Sequence, residues 1–192
     1  MTGGAPGHEL APSPWIVRWA HLIAPRGTVL DVAAGAGRHT RWLAARGHAV
    51  TAIDRDTDAM AALADCAEAI AADIEGGPWP LAGRSFDAVV VANYHWRPLA
   101  PTLVGSLAAG GVLLYETFAA GNETVGRPRR ADFLLAHGEL LGLAAGLRIV
   151  AYEDGFLGGP ERYVQRLAAV REQPGSPPKR YPLTPGEASP DR

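Results

Sequence analysis

The chain has a single cysteine in 192 residues, Cys66, so it can form no intrachain disulfide, and that usage suits a reducing compartment. No apolar run approaches the ~18 residues of a membrane span. The opening stretch MTGGAPGHELAPSP also lacks the apolar core of a signal peptide. Neither charge is in excess: 18 Lys and Arg face 20 Asp and Glu, for a net charge of −2. The pI of about 6.3 gives no footprint of a general nucleic-acid binder. The six histidines are scattered, and no Cys/His spacing fits a zinc site, so no metal is expected. There is no internal repeat. These absences predict a cytoplasmic protein with no membrane or nucleic-acid partner, as monomer or homodimer. The hydrophobic fraction of 47% over this length suits one domain with a sizeable core.

What the chain does have is concentrated between Thr28 and Asp54, TVLDVAAGAGRHTRWLAARGHAVTAID. An apolar run (Val29, Leu30) stops at Asp31, small residues follow to Gly37, and a helical pattern starts near Arg38. A second apolar strand, Ala49 to Ile53, ends in Asp54. Glycine lets the main chain take left-handed angles and lets a ligand approach without meeting a Cβ. The following helix turns free N–H groups and its positive end toward that ligand. An acid at the tip of the second strand can accept hydrogen bonds from ribose hydroxyls.

Two cofactor classes compete for such a loop. The dinucleotide fingerprint G-x-G-x-x-G/A needs a small third residue where this chain has Thr40. Asp31 at the loop mouth would also repel a pyrophosphate. A sulfonium or ammonium group would be attracted instead, by roughly 4 kcal/mol in a partly dry site before desolvation. The acid therefore favours S-adenosylmethionine (SAM) over NAD(P).

Around this core the pattern alternates strand and helix. Ser13 caps a helix opened by Pro14 and Trp15. Strands are expected at 28–32, 49–53, 67–72, 86–92, 111–117, 147–153 and 161–171, with helices at 38–46, 56–65, near 98–107 and at 132–145. The result is an α/β fold: a doubly wound, mostly parallel, seven-stranded Rossmann-like sheet with helices on both faces. The last two strands are joined too tightly for a crossover, so the final strand should be antiparallel. Residues 1–13 read as a flexible N-terminus, 14–172 as the domain, and 173–192 as a disordered tail.

Asp31-Val32-Ala33-Ala34-Gly35-Ala36-Gly37 resembles motif I of class I SAM-dependent methyltransferases, with Ala33 in place of the first glycine. Asp54, Asp73 in AIAADIE, the strand Phe86 to Val91, and Leu107 to Leu114 match the later motifs in order. Within that superfamily the chain is most similar to small TehB-like methyltransferases. The resemblance implies a SAM-dependent methyltransferase acting on a small-molecule acceptor. The alternatives are a SAM-binding module without catalysis and an NAD(P)-dependent oxidoreductase. It implies a cofactor site of Asp31, Ala33, Gly35, Gly37, Asp54, Arg55, Asp73, Ile74 and Asn93. Asp54 takes the ribose role, Asp73 the adenine amino group and Ile74 the adenine face.

Each position also has an ordinary structural reading: a tight turn for the glycines, a helix cap for Asp31, a turn cap for Asp73. Arg38 would pair with an acid and His39 would face solvent. Tyr94, His95 and Trp96, after the fourth strand, are candidates for an acceptor wall. His95 and Tyr94 are the candidate catalytic groups, His95 as general base, against packing under the next helix. Tyr115, Glu116 and Thr117 end the fifth strand beside the acceptor. The long loop 119–131 carries Glu123, Arg127, Arg129 and Arg130, a possible anion site or simply a solvated loop.

Overall fold

The computed structural model describes residues 11–177 and 179–186. The expectations of a flexible start and a disordered tail lie, for residues 1–10 and 187–192, outside the described residues. Seven strands form one sheet: β1 (Thr28–Val32), β2 (Ala49–Asp54), β3 (Glu68–Ala71), β4 (Phe86–Ala92), β5 (Leu107–Phe118), β6 (Arg148–Gly158) and β7 (Glu161–Val170). Their order is β3-β2-β1-β4-β5-β7-β6. The first five run parallel, and β7 lies antiparallel between β5 and β6. The order reverses between β1 and β4, which places a crevice at their carboxyl ends.

The helices are α1 (Pro14–Trp19), α2 (Arg38–Ala44), α3 (Thr57–Ala61), α4 (Ala100–Gly105) and α5 (Glu139–Leu143). The sheet is buried on both sides, so its central strands read as unbroken apolar runs. Val29, Val90 and Leu114 pack with Trp15, Ile16, Trp19 and Leu43 of α1 and α2. Leu30, Val32, Val89 and Leu113 pack on the other face with Leu103 and Leu140 of α4 and α5. Helix α1 is tied to distant strands: Trp15 Nε1 donates to the Leu167 carbonyl at 3.2 Å. Ser13 caps it as expected, its hydroxyl accepting from Trp15 N at 3.1 Å and donating to Glu116 Oε1 at 2.9 Å.

The structure departs from the sequence reading in several places. The apolar stretch expected to form a helix over 132–145 is a short turn (Ala131–Phe133), then extended chain, and helical only at Glu139–Leu143. Leu135 bridges Ala119, and Gly138 takes a left-handed φ of 72°. The apolar periodicity there serves an extended strap followed by one helical turn. The helix expected at 56–65 shortens to Thr57–Ala61, capped by Asp56. The fifth strand starts earlier, at Leu107, through an irregular register opposite Phe86. Ser13, expected to end a flexible segment, is only 3% exposed. Part of the expected disordered tail returns to the body: Tyr181 packs on the α1 core, and His21 Nε2 donates to the Pro182 carbonyl at 3.0 Å.

The cap at Ser13 carries two buried bonds. Ser13→Ala is expected to destabilise the protein by about 2 kcal/mol, combining the lost cap with a weakened hydrogen bond to the Glu116 carboxylate. Urea unfolding of the two proteins measures this. An unchanged midpoint would show that α1 is held by its tryptophans alone.

Candidate functional site

At the carboxyl end of the sheet, β1 runs into a turn whose backbone is left-handed at Ala33 (φ 53°), Gly35 (φ 54°) and Gly37 (φ 79°). The two glycines serve different ends. A Cβ on Gly37 would fall 2.2 Å from Leu63 Cδ2, so this glycine is required by the packing of α2 against the α3 segment. A Cβ on Gly35 would meet nothing within 4 Å. Gly35 N–H donates to Asp54 Oδ2 at 2.9 Å, and Asp56 N–H donates to Asp54 Oδ1 at 3.0 Å. The acid at the tip of β2 thus fixes the loop after β1. Ala33 accepts a strained conformation for a residue with a Cβ, as does Asn93 (φ 58°) after β4.

Asp54 opens onto a cavity of about 240 Å³, bordered by Ala33, Arg55, Asp73, Ile74 and Tyr94. Asp73 Oδ1 accepts from Glu75 N at 2.9 Å and Gly76 N at 3.0 Å, so Asp73 does cap a turn. Those two bonds hold its carboxyl well below the usual carboxylate range. Three residues that the sequence reading passed over also border this space: Ala72, Glu75 and Phe133. Glu75 follows Asp73 in the same turn. Phe133 arrives from the strap that had been expected to be a helix.

Asp31 lies beneath the loop, only 1% exposed, and accepts a 2.6 Å bond from the Thr40 hydroxyl. The residue that breaks the dinucleotide fingerprint is therefore the partner of the motif's acid. Asp31 thus contacts the first turn of α2. Burial raises its pKa from 3.8 to about 6, despite the Thr40 bonds and the Arg38 charge that lower it. His39 is also buried, not solvent-facing: Nε2 accepts from Ser13 N–H at 3.0 Å, and burial pushes its pKa down to about 4. Among the described residues Arg38 reaches the Ala11 carbonyl (3.4 Å) and pairs with no acid.

A second cavity of about 190 Å³ adjoins the first and shares Tyr94, Glu75 and Phe133 with it; Asn93, His95 and Thr117 lie on its other side. His95 is 3% exposed, lies 3.7 Å from Glu139 Oε1, and has no hydrogen-bond partner at Nε2. Burial first, then the Arg97 charge, lowers its pKa. Tyr115 donates to the Tyr94 carbonyl at 3.1 Å and supports this segment from below. Trp96 packs against the core. Glu116 is buried beside Arg162 and Arg166, at 3.8 and 3.4 Å, and faces α1. Arg127, Arg129 and Arg130 are exposed and line neither cavity, while Pro128 of the same loop borders the second.

A larger cavity of about 410 Å³ sits at the opposite end, among the strand starts Thr28, Thr51 and Glu68, and is crossed by the Arg84–Glu68 ion pair. Parallel α/β sheets bind ligands at the other end. Among the described residues no cluster of three His, Cys, Asp or Glu is placed to hold a metal, and no helix is long and apolar enough to cross a membrane.

Asp31 yields a signed pH prediction. Its folded pKa of about 6 exceeds the ordinary 3.8, so its stabilising contribution is complete below pH ~4 and is lost as pH rises through ~6. At neutral pH the buried charge costs up to about 3 kcal/mol. Asp31→Asn should therefore raise the melting temperature at pH 7.5 by several degrees and change little at pH 4. Thermal melts at both pH values test this; equal melting temperatures at pH 7.5 would contradict it.

Residues 29–109 match a family model described as a methyltransferase domain. No curated protein sequence matches the chain. TehB from Haemophilus influenzae superposes with a TM-score of 0.66 at 19% identity, over 80% of this chain and 60% of TehB, so the chain spans under two thirds of that protein. A TehB-like SAM-dependent methyltransferase from Corynebacterium glutamicum gives 0.56 at 24% identity, over 80% and 86% of the two chains. The N-methyltransferase NodS from Bradyrhizobium japonicum gives 0.59 at 20%, over 81% and 93%. At such identities the structures establish the fold, and the family model spans β1 to β4 with the Gly35 loop, Asp54, Asp73 and Tyr94. The chain thus shares the fold of SAM-dependent methyltransferases and resembles a methyltransferase domain over residues 29–109.

Proposed function

We propose that the protein transfers a methyl group from SAM to a small-molecule acceptor. The observation that carries this reading is the position of Asp54, which ties down the Gly35 loop while bordering the 240 Å³ cavity. Each of its oxygens accepts one backbone N–H, and a carboxylate retains further lone-pair sites for two ribose hydroxyls. Asp73, with only Oδ1 engaged in its turn, is assigned the adenine amino group, Ile74 the apolar face of the base, and Arg55 the rim. Ala33, Gly35 and Gly37 shape the loop under the amino-acid portion, and the Asp31 charge beneath that loop favours a cationic group above it. Asn93 is assigned to the same portion from the β4 side. Bound SAM would supply a methyl carbon already activated by a sulfonium leaving group.

The chain's own contribution is then alignment and exclusion of water. Tyr94 stands at the boundary of the two cavities, where donor and acceptor would meet. His95 is buried against Glu139 and Tyr115, so the reading assigns it no obligatory proton transfer. The acceptor cavity, near 190 Å³, is of a size for a small group. A cytoplasmic monomer or homodimer fits the one free cysteine.

Isothermal titration is expected to show binding of SAM and its demethylated product and none of NAD. Asp54→Ala should weaken SAM at least tenfold, about 1.4 kcal/mol. Binding of NAD without SAM would overturn the reading, and undiminished SAM affinity in the variant would remove the ribose assignment.

A further inference from the structure

The second cavity also bears on which atom is methylated. Among its lining residues, Glu75 carries the only formal charge, and its aromatic surfaces are Tyr94, Phe118 and Phe133. The imidazole of His95 is neutral there, because burial and Arg97 disfavour its cation. Arg97 and Arg130 are committed elsewhere, and Arg127 and Arg129, on either side of the lining Pro128, are exposed and do not line the cavity. Arg97 is bonded to both Glu139 oxygens and to the Asp132 and Leu134 carbonyls. Arg130 pairs with Asp132, its side chain 73% exposed. An oxyanion in this cavity would face a carboxylate with no cation among the lining residues to offset it. A cation would face that carboxylate together with aromatic faces, whose quadrupoles also attract positive charge. Tyr94 OH is buried without a partner and belongs to a residue that borders this cavity.

We propose that the acceptor is a small amine, drawn in as its ammonium ion by Glu75 and the aromatic walls and methylated on nitrogen. The inference rests on the methyltransferase reading. The bound ammonium first gives one proton to solvent. The nitrogen lone pair then forms the new N–C bond as the C–S bond breaks; the bonding pair stays on sulfur, which becomes a neutral thioether, and the positive charge passes to the methylated nitrogen. Glu75 and the aromatic walls favour the cation at equilibrium while the reaction needs the free base, so the rate should climb toward alkaline pH.

The test uses the full-length chain with benzylamine, phenethylamine, tryptamine, histamine and putrescine, set against selenite and 2-mercaptoethanol. SAM affinity is titrated separately on every protein, because Glu75 borders both cavities. Mass spectrometry should find at least one amine singly methylated. Glu75→Gln should raise the KM of that amine at least tenfold and shift SAM affinity by less than about threefold, with Glu75→Asp restoring part of the loss. Glu75 is exposed, so these variants should fold. SAM binding with no amine methylated overturns the inference and leaves the methyltransferase reading standing, as does turnover of selenite or the thiol alone. An amine KM unmoved by Glu75→Gln also overturns it. Failure of the unaltered protein to bind SAM would overturn the methyltransferase reading and this inference with it.

Discussion

The bond from the Thr40 hydroxyl to the Asp31 carboxylate joins the penultimate residue of β1 to the first turn of α2, and the loop between them takes its shape from that tie. A carboxylate so deeply buried is expensive when charged. Its position is held from several sides: Thr40 from above, β2 and β4 on either flank, and the α1 face beyond. Next to it, His39 holds the backbone of Ser13, and Ser13 reaches Glu116 and, through it, Arg166. The polar groups at this end of the sheet thus form one connected layer under the site. Such layers rigidify when every member is satisfied. Selection for stability alone would favour an uncharged residue at position 31. Retaining an acid there makes sense when a positive group arrives above it.

How much of this could be read from the sequence follows from how local each signal is. Strand β1, the glycine turn, α2, β2 and the Ser13 cap are set by neighbours within a few residues, and their limits fell close to the expected ones. The crossover-free link between β6 and β7 was enough to predict their antiparallel pairing. The strap after Phe118 was not legible. Its leucines have helical spacing, but Leu135 is recruited to Ala119 and Gly138 breaks the run, both consequences of packing against distant residues. With the strap misread, Phe133 could not be placed at the site.

Site residues divide along the same line. Asp54 and Asp73 could be singled out because each ends a strand or begins a turn whose pattern is visible locally, and both border the same cavity. Their neighbourhood was not, because Glu75, Phe133 and Tyr94 converge from three separate segments. His39 was misjudged: at the start of α2 it reads as a solvent-facing residue, and it is buried by a segment far away in the chain. Burial of a histidine costs little while it stays neutral, so composition gives no warning of it.

The tie between Trp15 and Leu167 has a consequence for how the protein comes into being. Translation delivers the first residue of that pair early and the second close to the end. The five parallel strands are complete once Phe118 is made, but helix α1 lacks its carbonyl partner until β7 has paired with β5. Until then two tryptophans of α1, Trp15 and Trp19, have an incomplete surface to cover. Nascent chains halted before β7 would therefore expose an aromatic helix to chaperones, and completion of the last strand is the event that takes it out of their reach.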